Sequence, residues 1–273
     1  IDVEKSLLTG KTQFKDVQIG ELTLERPDVG ESQSFIYMAL GVLVGTLILL
    51  MIARWNLAII WKLWFFCAVF LCLTIALGAF VSNVYTALIL GLICAFLKVF
   101  RPNVVVQNLT ELLMYGGLAV IFVPIMNLYS AIALLVLISL YDMYAVWKSK
   151  HMIELAHFQS SQKMFAGLFI PYSMPKKAQT KVHFKATAGL APPPKVGGVR
   201  NAVLGGGDVG FPLIFCGVVM KTFGLIQAYS IIPFTAIALY ILFIQGENDK
   251  FYPAMPPVTA GCLVGLIFVM LAF

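Results

Sequence analysis

Long apolar runs broken by short polar segments organise this chain. Eight of them approach the roughly 20 residues that an α-helix needs to cross a bilayer. They cover about 34–53, 57–81, 83–100, 107–126, 128–147, 201–223, 225–245 and 252–273. Two stretches are polar instead, the first 33 residues and about 148–200. In the first, KTQFKDVQIGELTLE alternates in character and predicts a strand or hairpin rather than a helix.

Composition sharpens the class. Of 273 residues 60% are hydrophobic and 12% charged, with a mean hydropathy of +0.91. A soluble domain of this length cannot hide that much apolar surface, whereas a bilayer solvates it. The pattern predicts an all-α polytopic membrane protein. A net charge of +6 does not imply a nucleic-acid partner, because the basic residues gather between spans. Arg54 and Lys62 flank the first connection, and Lys98 and Arg101 the third. The fifth carries Lys148, Lys150, Lys163, Lys176, Lys177, Lys181, Lys185, Lys195 and Arg200. The second and fourth, around Ser82 with Asn83 and around Asn127, have none. Alternate loops thus share one sign, which predicts a cytoplasmic basic loop at 148–200 and an extracytoplasmic segment at 1–33. Between and after them lie two helical blocks, 34–147 and 201–273.

Two acids interrupt the apolar pattern. Asp142 lies in LLVLISLYDMYAVW and Asp208 in AVLGGGDVGFPLIF. An ionisable group at membrane depth costs about 2.5–3.5 kcal/mol on insertion scales and marks a functional site by default. Asp142 falls five residues before the end of its span and Asp208 seven after the start of the next. At 1.5 Å per residue, both are expected about 7–11 Å inside the cytoplasmic boundary.

Other chemistries fall away. His151, His157 and His183 all lie in the polar 148–200 stretch and form no H-E-x-x-H pattern, and no span offers a histidine base to a serine. Cys67, Cys72, Cys94, Cys216 and Cys262 sit in apolar segments without paired spacing and read as small hydrophobes. No cofactor or metal is expected. Two carboxylates sharing a site cannot both ionise, so one proton serves the pair. The ionised member then takes a proton from water while the protonated member polarises a carbonyl.

The surroundings fit such a pair. Gly205, Gly206 and Gly207 remove side chains ahead of Asp208, so another backbone can approach; tight helix packing is the plainer explanation. Pro212 frees the carbonyl of Asp208. Tyr141 sets a phenol beside Asp142, or simply packs. Pro253, Ala254 and Met255 open the last span, either as an ordinary helix start or as one whose unpaired N–H groups receive an extended peptide.

Tyr141 with Asp142, Gly205 to Asp208, and Pro253 to Met255 together resemble the Y-D, G-x-G-D and P-A-L signatures of the presenilin and signal peptide peptidase family. Without lengthy insertions the chain is most similar to archaeal presenilin homologues. The resemblance implies a nine-helix intramembrane aspartyl protease cutting transmembrane helices or signal peptides, with Asp142 and Asp208 as its catalytic pair and no cofactor. It implies that Tyr141, Gly205, Gly206, Gly207, Pro253, Ala254 and Met255 shape the active site, and that residues 199–204 add a strand to the substrate. Its partners would be transmembrane peptides and the lipid bilayer, with no nucleic acid; a homo-oligomer is compatible, and no partner subunit is implied.

The chain departs from that pattern at Met255, where the family has Leu, a volume-conserving change. It shows eight spans rather than nine, so a further helix is expected ahead of Ile1. In presenilins the 148–200 region is a site of self-cleavage. A proton- or cation-coupled transporter or channel is the alternative, since paired intramembrane acids and broken helices serve transport too. Against it, the halves show no internal repeat and the remaining acids form no relay: Glu111 lies near a span boundary, and Glu154, Glu247 and Asp249 lie outside the spans. Prepilin-type peptidases share a G-x-G-D element, but here Val209 and Gly210 follow the acid and no cysteine cluster is present.

Overall fold

The computed structural model describes residues 17–19, 22–24, 33–55, 57–81, 83–101, 103–149, 166–171, 201–245 and 253–272. Eight α-helices account for most of them: α1 Ser34–Arg54, α2 Ala58–Gly78, α3 Val84–Phe100, α4 Val104–Phe122, α5 Leu128–Tyr144, α6 Gly206–Phe223, α7 Leu225–Gln245 and α8 Met255–Ala272. Seven are long and apolar enough to cross a membrane, and α3, at 17 residues, is the shorter one. The protein is a multi-pass membrane protein.

Asparagines set three of the helix starts. Asn83 Oδ1 accepts from Tyr85 N–H at 3.0 Å, Asn103 Oδ1 from Val105 N–H at 3.3 Å, and Asn127 Oδ1 from Ser130 N–H at 2.8 Å. Each satisfies a donor that the first helical turn leaves open. The Asn103 cap explains why α4 begins three residues before the expected 107. Its far end tightens into a 3₁₀ turn at Val123–Ile125, where Pro124 stands. Gly224, at φ +114°, makes the turn from α6 to α7, a conformation that side chains rarely adopt.

Side chains bury in two clusters. Ile52 of α1, Trp61, Phe65, Val69 and Leu73 of α2, Ala95 and Val99 of α3, and Met114 of α4 form the N-terminal one. Leu134, Leu135 and Ile138 of α5, Phe215, Val218 and Val219 of α6, Ile231 of α7, and Cys262, Leu266 and Val269 of α8 form the other. Helix α4 packs against α6 and joins the two halves. Many large apolar side chains, such as Ile59, Leu63, Tyr85, Ile226 and Leu271, point outward, which a lipid surround favours.

Four short strands complete the described residues. β1 Val17–Ile19 and β2 Leu22–Leu24 pair antiparallel, the hairpin expected in the N-terminal segment. β3 Gly167–Pro171 and β4 Asn201–Gly205 pair with Gly167 opposite Gly205. This corrects the span expected from 201. Residues 201–205 are strand, and the helix starts at Gly206. A short apolar run looks alike in a buried strand and a helix, and the glycines that follow weaken the helix there. All five cysteines are free thiols, with Cys67 exposed and Cys72 and Cys262 buried. The three histidines lie outside the described residues.

Candidate active site

Asp142 sits in the last turn of α5, just before a π-helical turn at Ala145–Ser149. It is buried, at 7% exposure. Its Oδ2 accepts a hydrogen bond from Met255 N–H at 3.1 Å, and the Ala254 N–H also faces this carboxylate. Pro253 and Ala254 precede α8, and Met255 is its first residue rather than a position inside it. The open N–H groups expected at this helix start are therefore committed in part: Met255 N–H belongs to Asp142 and not to a peptide ligand. A carboxylate at a helix N-terminus gains from both the free donors and the helix dipole.

Asp208 is the third residue of α6, with Gly205 as N-cap. From that position its carboxylate reaches back to the Gly205 N–H, the acidic half of a capping box. Of the seven helical residues expected before it, five are strand and only Gly206 and Gly207 are helix, so Asp208 lies about 3–5 Å beyond the helix start. Asp142 and Asp208 lie close enough to interact electrostatically. Among the described residues no cation forms an ion pair with either.

The three glycines differ. A Cβ on Gly205 would stand 3.0 Å from Asp208 Oδ2, and one on Gly206 3.1 Å from the Tyr115 hydroxyl oxygen and 3.2 Å from the Ala166 carbonyl. Gly206 N–H donates to that same carbonyl at 3.1 Å, so a backbone does approach here. Gly207 is exposed and would meet only the Phe211 ring. Tyr141 turns toward α1 and lines a shallow apolar crevice with Ala39, Val42, Leu43, Leu137 and Ile138. α6 runs on through Pro212.

A second polar cluster lies beside this site, and the sequence reading missed it. Lys98 of α3 and Glu111 of α4 form an ion pair at 2.6 Å with side chains 1% and 0% exposed. Lys98 thus belongs to the protein interior rather than to the third connection, which leaves Arg101 as that loop's exposed cation. Glu111 is the eighth residue of α4, not a boundary residue. Gln107 Nε2 donates to Glu111 Oε1 at 3.0 Å and to the Gly167 carbonyl of β3 at 3.3 Å. Through the pairing of Gly167 with Gly205 this cluster holds the strand that leads into Asp208. A signal was present: Gln107, Thr110, Glu111 and Tyr115 recur at the 3–4 residue spacing of one helix face.

A helical membrane bundle that brings two carboxylates within electrostatic reach of each other at helix ends, with no cation paired to either among the described residues, defines the class. The chain matches the signal-peptide peptidase, presenilin aspartyl protease family over residues 6–273 and belongs to it. Two solved structures of a presenilin family intramembrane aspartate protease share its fold. One, in space group C222, has TM-score 0.59 and 18% identity over 92% of this chain and 89% of that one. The other, in space group P2, has TM-score 0.58 and 17% identity over 91% and 87%. No curated protein matches the chain by sequence.

Proposed function

We propose that the protein is an intramembrane aspartyl endopeptidase of the G-x-G-D type in which Asp142 and Asp208 form the catalytic pair. The observation that carries this is the electrostatic proximity of the two carboxylates, with no cation paired to either among the described residues. Such a pair holds one proton between two acids. The ionised member draws a proton from water, and the water oxygen attacks the scissile carbonyl. The protonated member donates to the carbonyl oxygen; on collapse the proton taken from water passes to the leaving amine, the C–N bond breaks, and a hydroxyl proton of the tetrahedral intermediate returns to the other carboxylate. The Met255 N–H fixes one carboxylate and the Gly205 N–H the other, so neither has to reorganise during the reaction.

The substrate is a transmembrane helix or signal peptide, which must unwind locally because a helix keeps its carbonyls bonded and shielded. Tyr141, Gly205, Gly206, Gly207, Pro253, Ala254 and Met255 shape the site, and an edge of the β3–β4 pair adds the unwound segment as a strand. The basic 148–200 loop faces the cytoplasm, in keeping with its excess of Lys and Arg.

The test is cleavage of a tagged transmembrane peptide by protein reconstituted in vesicles. Wild type should cut it, and Asp142→Asn and Asp208→Asn should each leave it intact while melting normally. Cleavage should also decline at alkaline pH, where the shared proton is lost. Cutting by either variant would overturn the pair. An uncut peptide together with Asp208-dependent proton uptake would make the protein a transporter.

A further inference from the structure

Gln107 lies one helical turn before Glu111 on α4 and is 6% exposed. Its amide nitrogen carries two hydrogens and meets two acceptors: Glu111 Oε1 at 3.0 Å and the Gly167 carbonyl of β3 at 3.3 Å. Lys98 holds the same Glu111 oxygen at 2.6 Å, so the amide links β3 to an acid that is itself fixed. The strand register shows which way the Gly167 carbonyl points. Gly206 N–H donates to the Ala166 carbonyl at 3.1 Å, which makes those two a hydrogen-bonded pair. Gly167 and Gly205, the adjacent pair, then turn their N–H and C=O groups away from each other. The Gly167 carbonyl therefore points off the outer edge of β3, onto α4. On the opposite edge the Gly205 N–H points outward to the Asp208 carboxylate, and a Cβ on Gly205 would stand 3.0 Å from its Oδ2.

This asymmetry selects the edge that takes a third strand. At Gly167 the edge of β3 is occupied by Gln107, whereas the outer edge of β4 leads directly to Asp208. A two-stranded pair has little stability of its own and keeps a direction only where other elements hold it. The need to satisfy a buried carbonyl accounts for a donor at position 107. It does not require that the same nitrogen also be fixed by the acid of a buried ion pair.

We infer that Gln107 is a positioning residue that aims the substrate strand: by tying β3 to α4 it fixes the direction of the β4 edge, and with it the peptide bond that reaches Asp208. The inference rests on the peptidase function proposed above and deepens it. Gln107 does not touch the reacting atoms. Without it the strand pair pivots where β4 joins α6, and the scissile carbonyl arrives misaligned, an error to which rates are steeply sensitive.

Gln107→Met in the full-length protein tests it, reconstituted with the transmembrane peptide beside wild type and Asp208→Asn; Gln107→Leu repeats the test with a different shape. Both variants should show a kcat per folded molecule about tenfold lower, KM within about twofold of wild type, and cuts spread to neighbouring bonds when the products are weighed by mass spectrometry. Thr110→Val is the control. Thr110 accepts from Lys98 at 3.4 Å in the same cluster, and its replacement should lower the melting temperature without moving the cut. As a second measurement, a peptide N-methylated beside the scissile bond loses its edge hydrogen bonds unaided, so Gln107→Met should add less than about twofold to that loss. Losses that multiply, or a spread of cuts in Thr110→Val equal to that in Gln107→Met, overturn the inference. So does a wild-type kcat and cut position in both Gln107 variants with Asp208→Asn inactive, which leaves the peptidase standing. A wild type that cuts nothing removes both.

Discussion

Glu111 and Asp208 are both acids on apolar helices that pack against each other, α4 and α6, yet their surroundings are opposite in character. Glu111 meets Lys98 at 2.6 Å in full burial and takes a further hydrogen bond from Gln107. Asp208 has another carboxylate, Asp142, within electrostatic reach, and its own hydrogen bond comes from the Gly205 backbone. The first acid is neutralised by a fixed partner, so its charge is spent on holding α3, α4 and β3 together. The second has no counter-ion among the described residues. In the proposed dyad it ionises by leaving a proton on its neighbour. Burial alone does not separate the two acids; the sign of the neighbour does.

The comparison breaks most visibly at the dyad. Asp142→Asn and Asp208→Asn should each lower peptide cleavage by at least about 100-fold, the small end of what an acid–base group contributes, with little change in melting temperature. The ion pair should respond the other way round. Lys98→Met leaves Glu111 buried without its cation and should cost about 3–5 kcal/mol of stability, read by thermal melting in detergent; the double variant with Glu111→Leu should recover most of it. Equal losses in the single and double variants would show that the pair is not what holds the cluster.

The glycines sharpen the contrast on a smaller scale. Gly206→Ala pushes a methyl against Tyr115 and the Ala166 carbonyl, and overpacking of that kind costs about 1–3 kcal/mol. It should reduce both stability and cleavage. Gly207→Ala meets only the Phe211 ring and replaces a poor helix former, so it should be neutral or stabilising by up to about 1 kcal/mol. Similar losses for both would mean that the close approach at Gly206 is not the constraint.

Much of the fold was legible. The apolar runs anticipated the eight helices among the described residues, and the alternation before residue 25 anticipated β1 and β2, because both signals are local. The boundary at Gly206 was not, since Ala202, Val203 and Leu204 suit a buried strand as well as a helix. Lys98 was read as flanking the third connection, two positions before the end of its run, a place where a lysine ordinarily snorkels to the membrane surface. Only its contact with Glu111, 13 residues away, draws it inward. Gln107, Thr110, Glu111 and Tyr115 formed a polar stripe that periodicity could have exposed, but each was weighed singly.

The sequence by itself determined the membrane class, the helices and the two acids that no apolar run would carry without cause. Those follow from transfer free energies that each segment pays on its own. Tertiary structure decided the partnerships: Lys98 with Glu111 rather than with an aspartate, Met255 N–H on Asp142 across 113 residues, β3 against β4, and Gln107 on the Gly167 carbonyl. These depend on which helices pack together and in what register, a global balance of burial and hydrogen bonding that no local window contains.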